Sequence, residues 1–440
     1  MVNTLYPPLV CGGAERSVSL LAEGLARGGD EVSVISLHPG RSTIMEERNG
    51  VRVYRVPLAN VYWPFGRGAS PNLIMKTLWH LLDVWNRRAA REVGRILDIE
   101  RPDIVHTNTI SGFSISVFRE VKRRKIRLVH TLRDYYMLCD RYTLFRGKKT
   151  CDERCIGCRL LSMRRGPASL LADAVVANSA YVLKMHERHG AFRGVPGSVI
   201  YNISSQSIKA LSVELSDRAQ DAGWPPPPEN VDASSRGHGQ TGKDTLIFGF
   251  IGRVEAEKGI SVILAATKLL TRGNWRLRIA GSGLDSFITP LRQQYADRRI
   301  EWLGFTDSAG FYPSVDVCLI SSVWAEPLPR TLIECFAAGK SAICARSGGI
   351  MEIASLGKVV ASYEAEDALQ LASLMDAAML NIGRWRGGGW LDEGASRVFS
   401  EEVVTQRYRD VYRGKPVSPP ILLPGYQAVI VEQERAEEMV

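Results

Sequence analysis

The stretch VDVCLISSVWAEPLPRTLIECFAAGKSAICA, residues 315–345, decides the fold of the C-terminal half of the chain. The apolar run VDVCLISS predicts a buried strand, a helix is expected at Thr331–Ala338, and SAICA resumes as a second strand. Pro327 and Pro329 precede the helix, where proline is well tolerated in the first turn. Strand, helix and strand in this order are typical of a parallel α/β sheet.

The same alternation extends in both directions from this stretch. LIFGFIG, WRLRIAG and IEWLGF predict further strands in the C-terminal half, and EVSVISL, DIVHT, IRLVHTL, AVVANS and SVIYN predict those of an N-terminal half. Residues 204–244 are polar and rich in proline and glycine, which favours a flexible linker. We therefore predict two doubly wound α/β domains, at 1–203 and 245–399. We expect a helix at 400–412 to pack back on the first domain, before a loosely held tail at 413–440.

Length and composition set the broad class of the protein. The chain has 440 residues, of which 45% are hydrophobic, so it can bury the cores of two or three domains. Its formal net charge of +9 favours an anionic partner, such as nucleotide phosphates, a membrane surface or nucleic acid. The N-terminus lacks a basic segment followed by an apolar core, and the best apolar stretch, LIMKTLWHLLDVW, is interrupted by Lys76, His80 and Asp83. These features predict a cytoplasmic protein.

The first strand of the N-terminal domain is unusually short in the sequence. Only five residues precede Tyr6, where a complete strand is expected before the YPP segment. The sequence indicates either a start site set too late or a truncated first strand.

Candidate site residues follow the predicted strands, because ligands of such sheets bind at the carboxyl ends of the strands. Gly12 and Gly13 form a strand-to-helix turn that suits a phosphate, although such a pair also serves as a plain tight turn. Arg253 and Lys258 share one loop after a strand and suit a diphosphate, although a solvated basic loop has the same composition.

The loop and helix of residues 326–334 carry two glutamates, Glu326 and Glu334. If the segment were entirely helical, its ends would lie about 12 Å apart. A glycosidase needs its carboxyl pair about 5–5.5 Å apart for retention or about 6.5–9.5 Å apart for inversion. The two glutamates therefore do not fit a pair that flanks one scissile bond.

Several motifs together resemble those of the family 4 retaining glycosyltransferases of the GT-B fold. These motifs are YPPLVCGGAERS, PDIVHTN, VANS, VIYN, GRVEAEKG, EPLPRTLIECFAAG and SGGIMEI, and the resemblance covers about residues 5–203 and 245–412. It implies two Rossmann-like domains facing across a cleft that holds a nucleotide sugar.

The resemblance also implies roles for individual residues. Glu334 would bind the ribose hydroxyls, and Glu326 would contact the donor sugar. Arg253 and Lys258 would neutralise the diphosphate, while Gly13, next to Gly12, would approach it from the other domain. The remaining residues of the implied donor site lie at the start of the same helix: Leu328, Arg330 and Thr331.

These expectations define a function, with UDP- or GDP-sugars as the implied donors. The chain would move a sugar to a saccharide or lipid-linked acceptor in surface glycan synthesis, with no nucleic-acid partner. The sequence contains no Asp-x-Asp pair, so fixed cations and a helix N-terminus, with no metal ion, would stabilise the leaving diphosphate. Two alternatives remain open: a GT-B nucleotide-sugar epimerase, or a catalytically impaired protein that only binds the nucleotide sugar.

The segment LVHTLRDYY departs from the resembled family. Many relatives carry a histidine immediately before the aspartate, whereas this chain has Arg133 before Asp134. Arginine cannot accept a proton at neutral pH, but it can stabilise negative charge. We take Arg133, Asp134 and Glu326 as the catalytic candidates. His106 and His130 remain alternatives on the acceptor side, although histidines in apolar strands are more often core residues.

Four of the eight cysteines cluster in one segment: Cys139, Cys151, Cys155 and Cys158. In a cytoplasmic protein their spacing is compatible with one structural zinc ion, with reduced thiols or with disulfides. The other cysteines lie on apolar segments and are expected to be small buried side chains: Cys11, Cys318, Cys335 and Cys344.

A basic amphipathic region offers a possible peripheral contact with an anionic membrane at its inner face. The residues that form its apolar side are Leu73, Ile74, Leu78, Trp79, Leu82 and Trp85. Basic residues follow at Arg87, Arg88 and Arg91 and in REVKRRKIR, residues 119–127. The alternative is ordinary packing of the apolar side against the sheet.

Overall fold

A computed structural model of the protein describes residues 1–10, 12–65, 71–147, 149–151, 153–204 and 244–418. Cys11, the predicted linker apart from Ser204 and Asp244, and the predicted tail beyond Ser418 lie outside the described residues. The chain divides into two compact units. The first contains Met1–Arg146, Thr150–Ile203 and the stretch from Val398, and the second contains Ser204–Arg397.

The first unit is built on a mostly parallel sheet. In chain order the strands are β1 (Val32–His38), β2 (Ile44–Arg48), β3 (Val51–Pro57), β4 (Ile104–Thr107), β5 (Arg127–Leu132), β6 (Phe145–Arg146), β7 (Lys149–Thr150), β8 (Ala174–Ala177) and β9 (Gly197–Val199). They pair in the orders β1-β3-β2 and β4-β5-β8-β9, and only β2 with β3 is antiparallel among these pairs. Strands β6 and β7 form a separate two-stranded ribbon.

The first residues of the chain join the two parts of this sheet. Val2 forms parallel bridges with Ile35 of β1 on one side and Thr107 of β4 on the other. The backbone N–H of Val2 donates to the His106 carbonyl at 2.9 Å, and that of Asn3 donates to the Ile35 carbonyl at 3.0 Å. The segment that looked too short for a strand thus supplies the central backbone pairing of the sheet.

The helices of the first unit cover its sheet and bury its apolar residues. The helix Gly13–Arg27 turns Val18, Leu21, Ala22 and Leu25 into the core, because these positions share one helical face. The helix Glu401–Tyr412 buries Val404, Tyr408 and Val411 in the same core. The described helices of this unit are Gly13–Arg27, Leu73–Val84, Arg87–Glu100, Ser116–Arg123, Ile156–Leu161, Arg165–Ser169, Ala180–Arg188 and Glu401–Tyr412.

The second unit contains a six-stranded parallel sheet with the order β12-β11-β10-β13-β14-β15. Its strands are β10 (Leu246–Ile251), β11 (Trp275–Ala280), β12 (Ile300–Gly304), β13 (Val317–Ile320), β14 (Ser341–Arg346) and β15 (Val360–Glu364). Because β10, β13 and β14 are neighbours, the loops that leave their carboxyl ends emerge side by side. This position is where the sequence places the donor-site candidates.

Helices connect the strands of the second unit. The predicted helix at residues 331–338 spans Arg330–Ala337, with Pro329 at its N-cap. The helical segments described in this unit are Ala256–Lys258 (a 3-10 turn), Ile260–Thr267, Asp285–Gln294, Ser308–Phe311, Tyr312–Ser314 (3-10), Arg330–Ala337, Ile350–Ala354, Ala368–Leu380, Ile382–Trp385 and Glu393–Arg397. In the described parts of both units, no helix combines the length and the apolar content that crossing a bilayer requires.

Candidate functional site

Glu326 is the centre of a polar network at the carboxyl end of the second unit's sheet. Its Oε2 accepts hydrogen bonds from Lys258 Nζ at 2.5 Å, Trp324 Nε1 at 2.8 Å and Ser322 Oγ at 2.9 Å. The residue is only 7% exposed. Three donors on one nearly buried oxygen hold the carboxylate in a single orientation. The ammonium of Lys258 also lies 5.1 Å from the centre of the Trp324 ring, within cation–π range.

Two glycines allow the loops around Glu326 to meet. Gly259, next to Lys258, has φ +69°, and a Cβ at this position would lie 1.8 Å from the Ser321 carbonyl oxygen. Gly348 has φ +57°, and its Cβ would lie 2.3 Å from the Glu326 carbonyl oxygen. A side chain at either position would be both strained and in collision with backbone. The two glycines therefore bring the loops after β10, β13 and β14 into contact and set the positions of Lys258 and Glu326.

Glu334 lies one turn into the helix Arg330–Ala337 and is also 7% exposed. Its Oε2 accepts a hydrogen bond from Ser308 Oγ at 2.8 Å, and its Oε1 lies 3.3 Å from the Arg330 guanidinium. The hydroxyl of Tyr312 donates to the Thr331 carbonyl at 2.9 Å beside it. The structure thus gathers Glu334, Arg330 and Thr331 at one helix start, where Leu328 is buried just before the first turn.

Arg253 is paired with carboxylates of its own loop. Its guanidinium lies 2.6 Å from Glu255 and 3.6 Å from Glu257, and its side chain is 46% exposed. Burial, together with a hydrogen bond and the negative charge of Glu257, raises the pKa of Glu255 to about 7. The sequence analysis did not single out these two glutamates. They balance the charge of Arg253, so a bound diphosphate would compete with them for the guanidinium.

Arg133 lies at the end of β5 in the first unit and is 9% exposed. Its Nε donates to Asn108 Oδ1 at 2.9 Å, and its NH1 donates to Asn202 Oδ1 at 2.5 Å. The Asp134 carboxylate accepts the Tyr136 backbone N–H at 2.8 Å, and the two asparagines hold the guanidinium.

Gly12 and Gly13 begin the helix Gly13–Arg27 in the first unit. The backbone N–H of Gly12 donates to Glu15 Oε2 at 2.9 Å, so a glutamate of the first turn caps the helix N-terminus. Burial raises the pKa of Asp134 to about 6, and the negative charge of nearby Glu15 adds to the effect. The glycine turn and the end of β5 are therefore neighbours at the same edge of the sheet.

His106 and His130 are both core residues. His106 hydrogen-bonds to the Tyr412 hydroxyl at 2.8 Å and to Thr131 Oγ1 at 2.7 Å. His130 hydrogen-bonds to Thr107 Oγ1 at 2.8 Å and stacks on a phenylalanine ring. Burial lowers the pKa of His130 to about 3 and lowers that of His106 strongly, so both rings are neutral at physiological pH.

Two of the four clustered cysteines come together in the first unit, beside the carboxylate of Asp140. The sulfur atoms of Cys139 and Cys158 lie 3.6 Å apart, and both residues are buried. Cys151 and Cys155 are partly buried in the same loop. Of the remaining cysteines, the three that the structure describes are buried: Cys318, Cys335 and Cys344.

Two family models match successive parts of the chain. The glycosyl transferase 4-like domain matches residues 12–202, and the glycosyl transferases group 1 model matches residues 233–381. An uncharacterized 42.6 kDa protein in the cps region of Klebsiella pneumoniae is 30% identical over 415 residues. That alignment covers 94% of this chain and 99% of the relative.

Solved structures show the same fold. Anabaena HepE, solved in complex with UDP and with UDP-glucose, is 15% identical, with TM-scores of 0.64 and 0.62. These alignments cover 94% of this chain and 99% and 98% of the HepE chains. Sucrose-phosphate synthase from Thermosynechococcus elongatus is 18% identical with a TM-score of 0.66, covering 94% of this chain and 95% of the synthase. The predicted architecture of two Rossmann-like domains is thereby confirmed.

Proposed function

The chain belongs to the glycosyl transferases group 1 and has the GT-B fold, and we propose that it is a retaining transferase that uses a nucleotide-sugar donor. The observation that carries this proposal is the network of Glu326, Lys258, Ser322 and Trp324. It places a fixed carboxylate and a cation together where parallel strands end, and such positions bind ligands in open α/β sheets. A carboxylate suits sugar hydroxyl donors, and the cation suits a phosphate.

We propose the donor contacts that the family resemblance implies for these residues. Glu334 would accept hydrogen bonds from the two ribose hydroxyls, because a carboxylate offers two acceptor oxygens. Lys258 and Arg253 would bind the diphosphate, with Arg253 leaving Glu255 and Glu257 as it does so. Glu326 would accept hydrogen bonds from the transferred sugar. HepE binds UDP and UDP-glucose, which favours a UDP-sugar as the donor here.

The charge that develops on the leaving diphosphate has to be stabilised. Lys258 and Arg253 supply two positive charges, and the N-terminus of the helix Arg330–Ala337 adds a favourable dipole. The sequence contains no Asp-x-Asp pair that would hold a metal-bound diphosphate. We therefore propose chemistry that needs no metal ion at the diphosphate.

Arg133 is the proposed catalytic cation of the first unit, at the end of β5. The departing phosphate oxygen can accept the proton of the acceptor hydroxyl, so a protein base is not required. The C–O bond of the acceptor forms on the side of the sugar from which the phosphate leaves, which retains the configuration. A fixed guanidinium stabilises the phosphate while this occurs. Asn108 and Asn202 would keep it in place.

The acceptor is proposed to be a lipid-linked saccharide of surface glycan synthesis. The relative from a cps region supports this class of pathway. The helix Leu73–Val84 exposes Leu73 and Ile74 by 79% and 76%, which supports this contact, whereas Trp79 of the same helix is buried. The neighbouring helix Ile156–Leu161 exposes Ile156 and Leu160 as well.

A basic groove lies along the helix Arg87–Glu100, which directly follows the helix Leu73–Val84. It has a volume of about 500 Å³, and the arginines that line it are Arg41, Arg88, Arg91 and Arg95. Apolar side chains beside clustered arginines suit a membrane surface with anionic head groups. We propose peripheral contact with the inner face of a membrane at this surface.

Two measurements test the proposed function. Thermal unfolding with UDP-, GDP-, ADP- and TDP-sugars should show stabilisation by one nucleotide class, because a ligand that binds only the folded state raises its stability. The absence of any shift would remove the donor-site assignment. Incubation of the donor with and without a lipid-linked acceptor separates transfer from epimerisation, because an epimerase converts its donor without an acceptor.

A further inference from the structure

The loop that follows Asp134 carries four thiols, and two of them meet a carboxylate at one point. The ligand atoms of Cys139, Asp140 and Cys158 lie within 4.8 Å of one another. Cys139 and Cys158 are 3% and 5% exposed, with 3.6 Å between their sulfur atoms. Cys155 interacts with Cys158, and Cys151 interacts electrostatically with Cys139 and Cys155.

Local structure places the four cysteines on neighbouring parts of one loop. The ribbon of β6 and β7 folds the chain back on itself, and the Cys151 N–H donates to the Leu144 carbonyl at 2.6 Å. Cys155 is the N-cap of the helix Ile156–Leu161, and Cys158 lies three residues further along, on the same side of the helix. The hairpin thus carries one cysteine, and the helix start carries two, of which Cys158 contacts Cys139.

The distance between the two buried sulfur atoms fits a tetrahedral metal ion. Zinc–sulfur bonds of about 2.3 Å in a tetrahedron separate neighbouring sulfur atoms by about 3.8 Å, whereas a disulfide requires about 2.05 Å. The 3.6 Å between Cys139 and Cys158 matches the first value. The backbone N–H of Arg141 points at the Cys139 sulfur at 3.4 Å, which is the contact a bound thiolate requires from its surroundings.

We propose that Cys139, Cys151, Cys155 and Cys158 bind one structural Zn²⁺ ion as four thiolates. Binding replaces four thiol protons, which are released to solvent, by one Zn²⁺ ion and leaves a cluster of charge −2. Arg141 and Arg146 lie near enough to Cys151 to offset this charge. Asp140 Oδ1 lies 3.1 Å from the Cys158 sulfur, and we assign it a place beside the cluster and not as a ligand.

The metal would fix the turn that carries Arg133 and Asp134. The Cys139 N–H donates to the Tyr135 carbonyl at 2.8 Å, and the Tyr135 N–H donates to the Tyr142 carbonyl at 3.0 Å. The turn after β5 is therefore hydrogen-bonded directly to the first metal ligand and its loop. The proposed zinc ion would hold this loop of the first unit in place and would take no part in donor binding by the second unit.

Metal analysis of the full chain tests this site. Protein purified without a polyhistidine tag from zinc-supplemented cells should contain about one zinc per chain. Cys155→Ser and Cys158→Ser should each lose most of it, while Cys344→Ala, at a buried cysteine of the second unit, should retain it. Asp140→Asn should also retain it, and loss of zinc in that variant would overturn the assignment of four thiolates.

A second measurement does not depend on the folding of the variants. Exchange of the bound metal for Co²⁺ in the parent protein should produce thiolate charge-transfer bands and the strong visible bands of a tetrahedral site. Folded parent protein that contains no zinc, and whose four thiols all react with iodoacetamide, would overturn the proposal. Neither readout involves a nucleotide or transfer, so failure here is distinct from failure of the proposed function.

Discussion

The ammonium of Lys258 and the carboxylate of Glu326 form an ion pair with 2.5 Å between Nζ and Oε2. The two residues come from the loops after β10 and β13 and are far apart in sequence. A diphosphate that approaches Lys258 would compete with Glu326 for the positive charge of the ammonium. Glu326 also accepts hydrogen bonds from Ser322 and Trp324. We therefore expect Glu326 to stay in place when Lys258 turns to the proposed donor, so that the pair could bind the sugar and the phosphate at once.

Lys258→Ala should lower the rate of transfer at least ~10²-fold, the scale for the loss of one group that stabilises developing charge. The measurement is kcat with saturating donor and acceptor, together with the Kd of UDP. Lys268→Ala, at an exposed lysine on the next helix of the same unit, is the matched control and should keep the parental rate. Equal rates for the two variants would show that Lys258 does not act on the diphosphate.

The positions of the site residues were predictable because parallel strands align their carboxyl ends. Lys258 and Glu326 were singled out because they follow predicted strands, whereas Glu334 and Arg133 were singled out with the help of the family resemblance. The hydrogen-bond partners of these residues could not be predicted from the sequence. Asn202 lies 69 residues from Arg133 and Ser308 lies 26 residues from Glu334, so strand order has to be known before these contacts can be seen. Asn108 and Asn202 had one visible signal, since Asn108 directly follows one predicted strand and Asn202 is the last residue of another.

Two further features could not be derived from the sequence pattern. The role of Val2 depends on strand order, because a few residues suffice for a central strand when both neighbours pair with them. The apolar face of the helix Leu73–Val84 has the same periodicity whether it is covered or exposed. Only the packing of the unit shows that Leu73 and Ile74 remain uncovered by the described residues.

Donor affinity should depend on pH through Glu255. The folded protein raises its pKa to about 7, above the ordinary value, so Glu255 binds a proton as the pH falls through 7 and releases Arg253. The Kd of UDP-glucose should therefore fall between pH 8.5 and 6, by up to about tenfold, the equivalent of one pKa unit. The same shift means that this group's contribution to folding stability is complete below its unfolded pKa and is lost as the pH rises through 7.

Glu255→Gln should flatten this pH dependence of UDP-glucose binding, because glutamine is neutral throughout. UDP-glucose is the suitable probe, since its diphosphate diester does not titrate in this range. Glu364→Gln, at an exposed glutamate that pairs with Arg346, is the control and should keep the parental slope. A parental slope in Glu255→Gln would mean that the paired carboxylates do not regulate Arg253.

Glu334→Ala should weaken UDP binding about tenfold or more, because hydrogen bonds to a charged group contribute about 1.5–3 kcal/mol. The effect should appear in the Kd measured by titration calorimetry and much less in kcat. Ser308→Ala should cause a smaller loss, since Ser308 only orients the carboxylate. Unchanged affinity in a folded Glu334→Ala protein would place the ribose elsewhere.

The apolar face of the helix Leu73–Val84 should bind anionic membranes. The parent protein should sediment with vesicles containing phosphatidylglycerol and not with neutral vesicles, and added salt should weaken the binding. The double variant Leu73→Ser with Ile74→Ser should reduce vesicle binding at least about tenfold, because even one fully buried aliphatic side chain contributes about 1.5–3 kcal/mol and about 1.4 kcal/mol is a factor of ten. Leu369→Ser with Leu380→Ser, two leucines of the second unit that are each 66% exposed, is the control. Equal losses in the two double variants would exclude a specific membrane face.

Arg133 should act mainly on the transition state. The proposed role is stabilisation of charge on the departing phosphate, so Arg133→Ala should reduce kcat by ~10²-fold and leave the Kd of UDP nearly unchanged. Arg133→Lys should recover only part of the rate, because a single ammonium cannot donate to both Asn108 and Asn202 in the forked arrangement of the guanidinium. Arg133→His tests whether the histidine of the resembled family works at this position. Parental activity would show that either side chain is sufficient there. Full activity in Arg133→Ala would make the residue structural, and Asp134 would then be the remaining charged candidate at the end of β5.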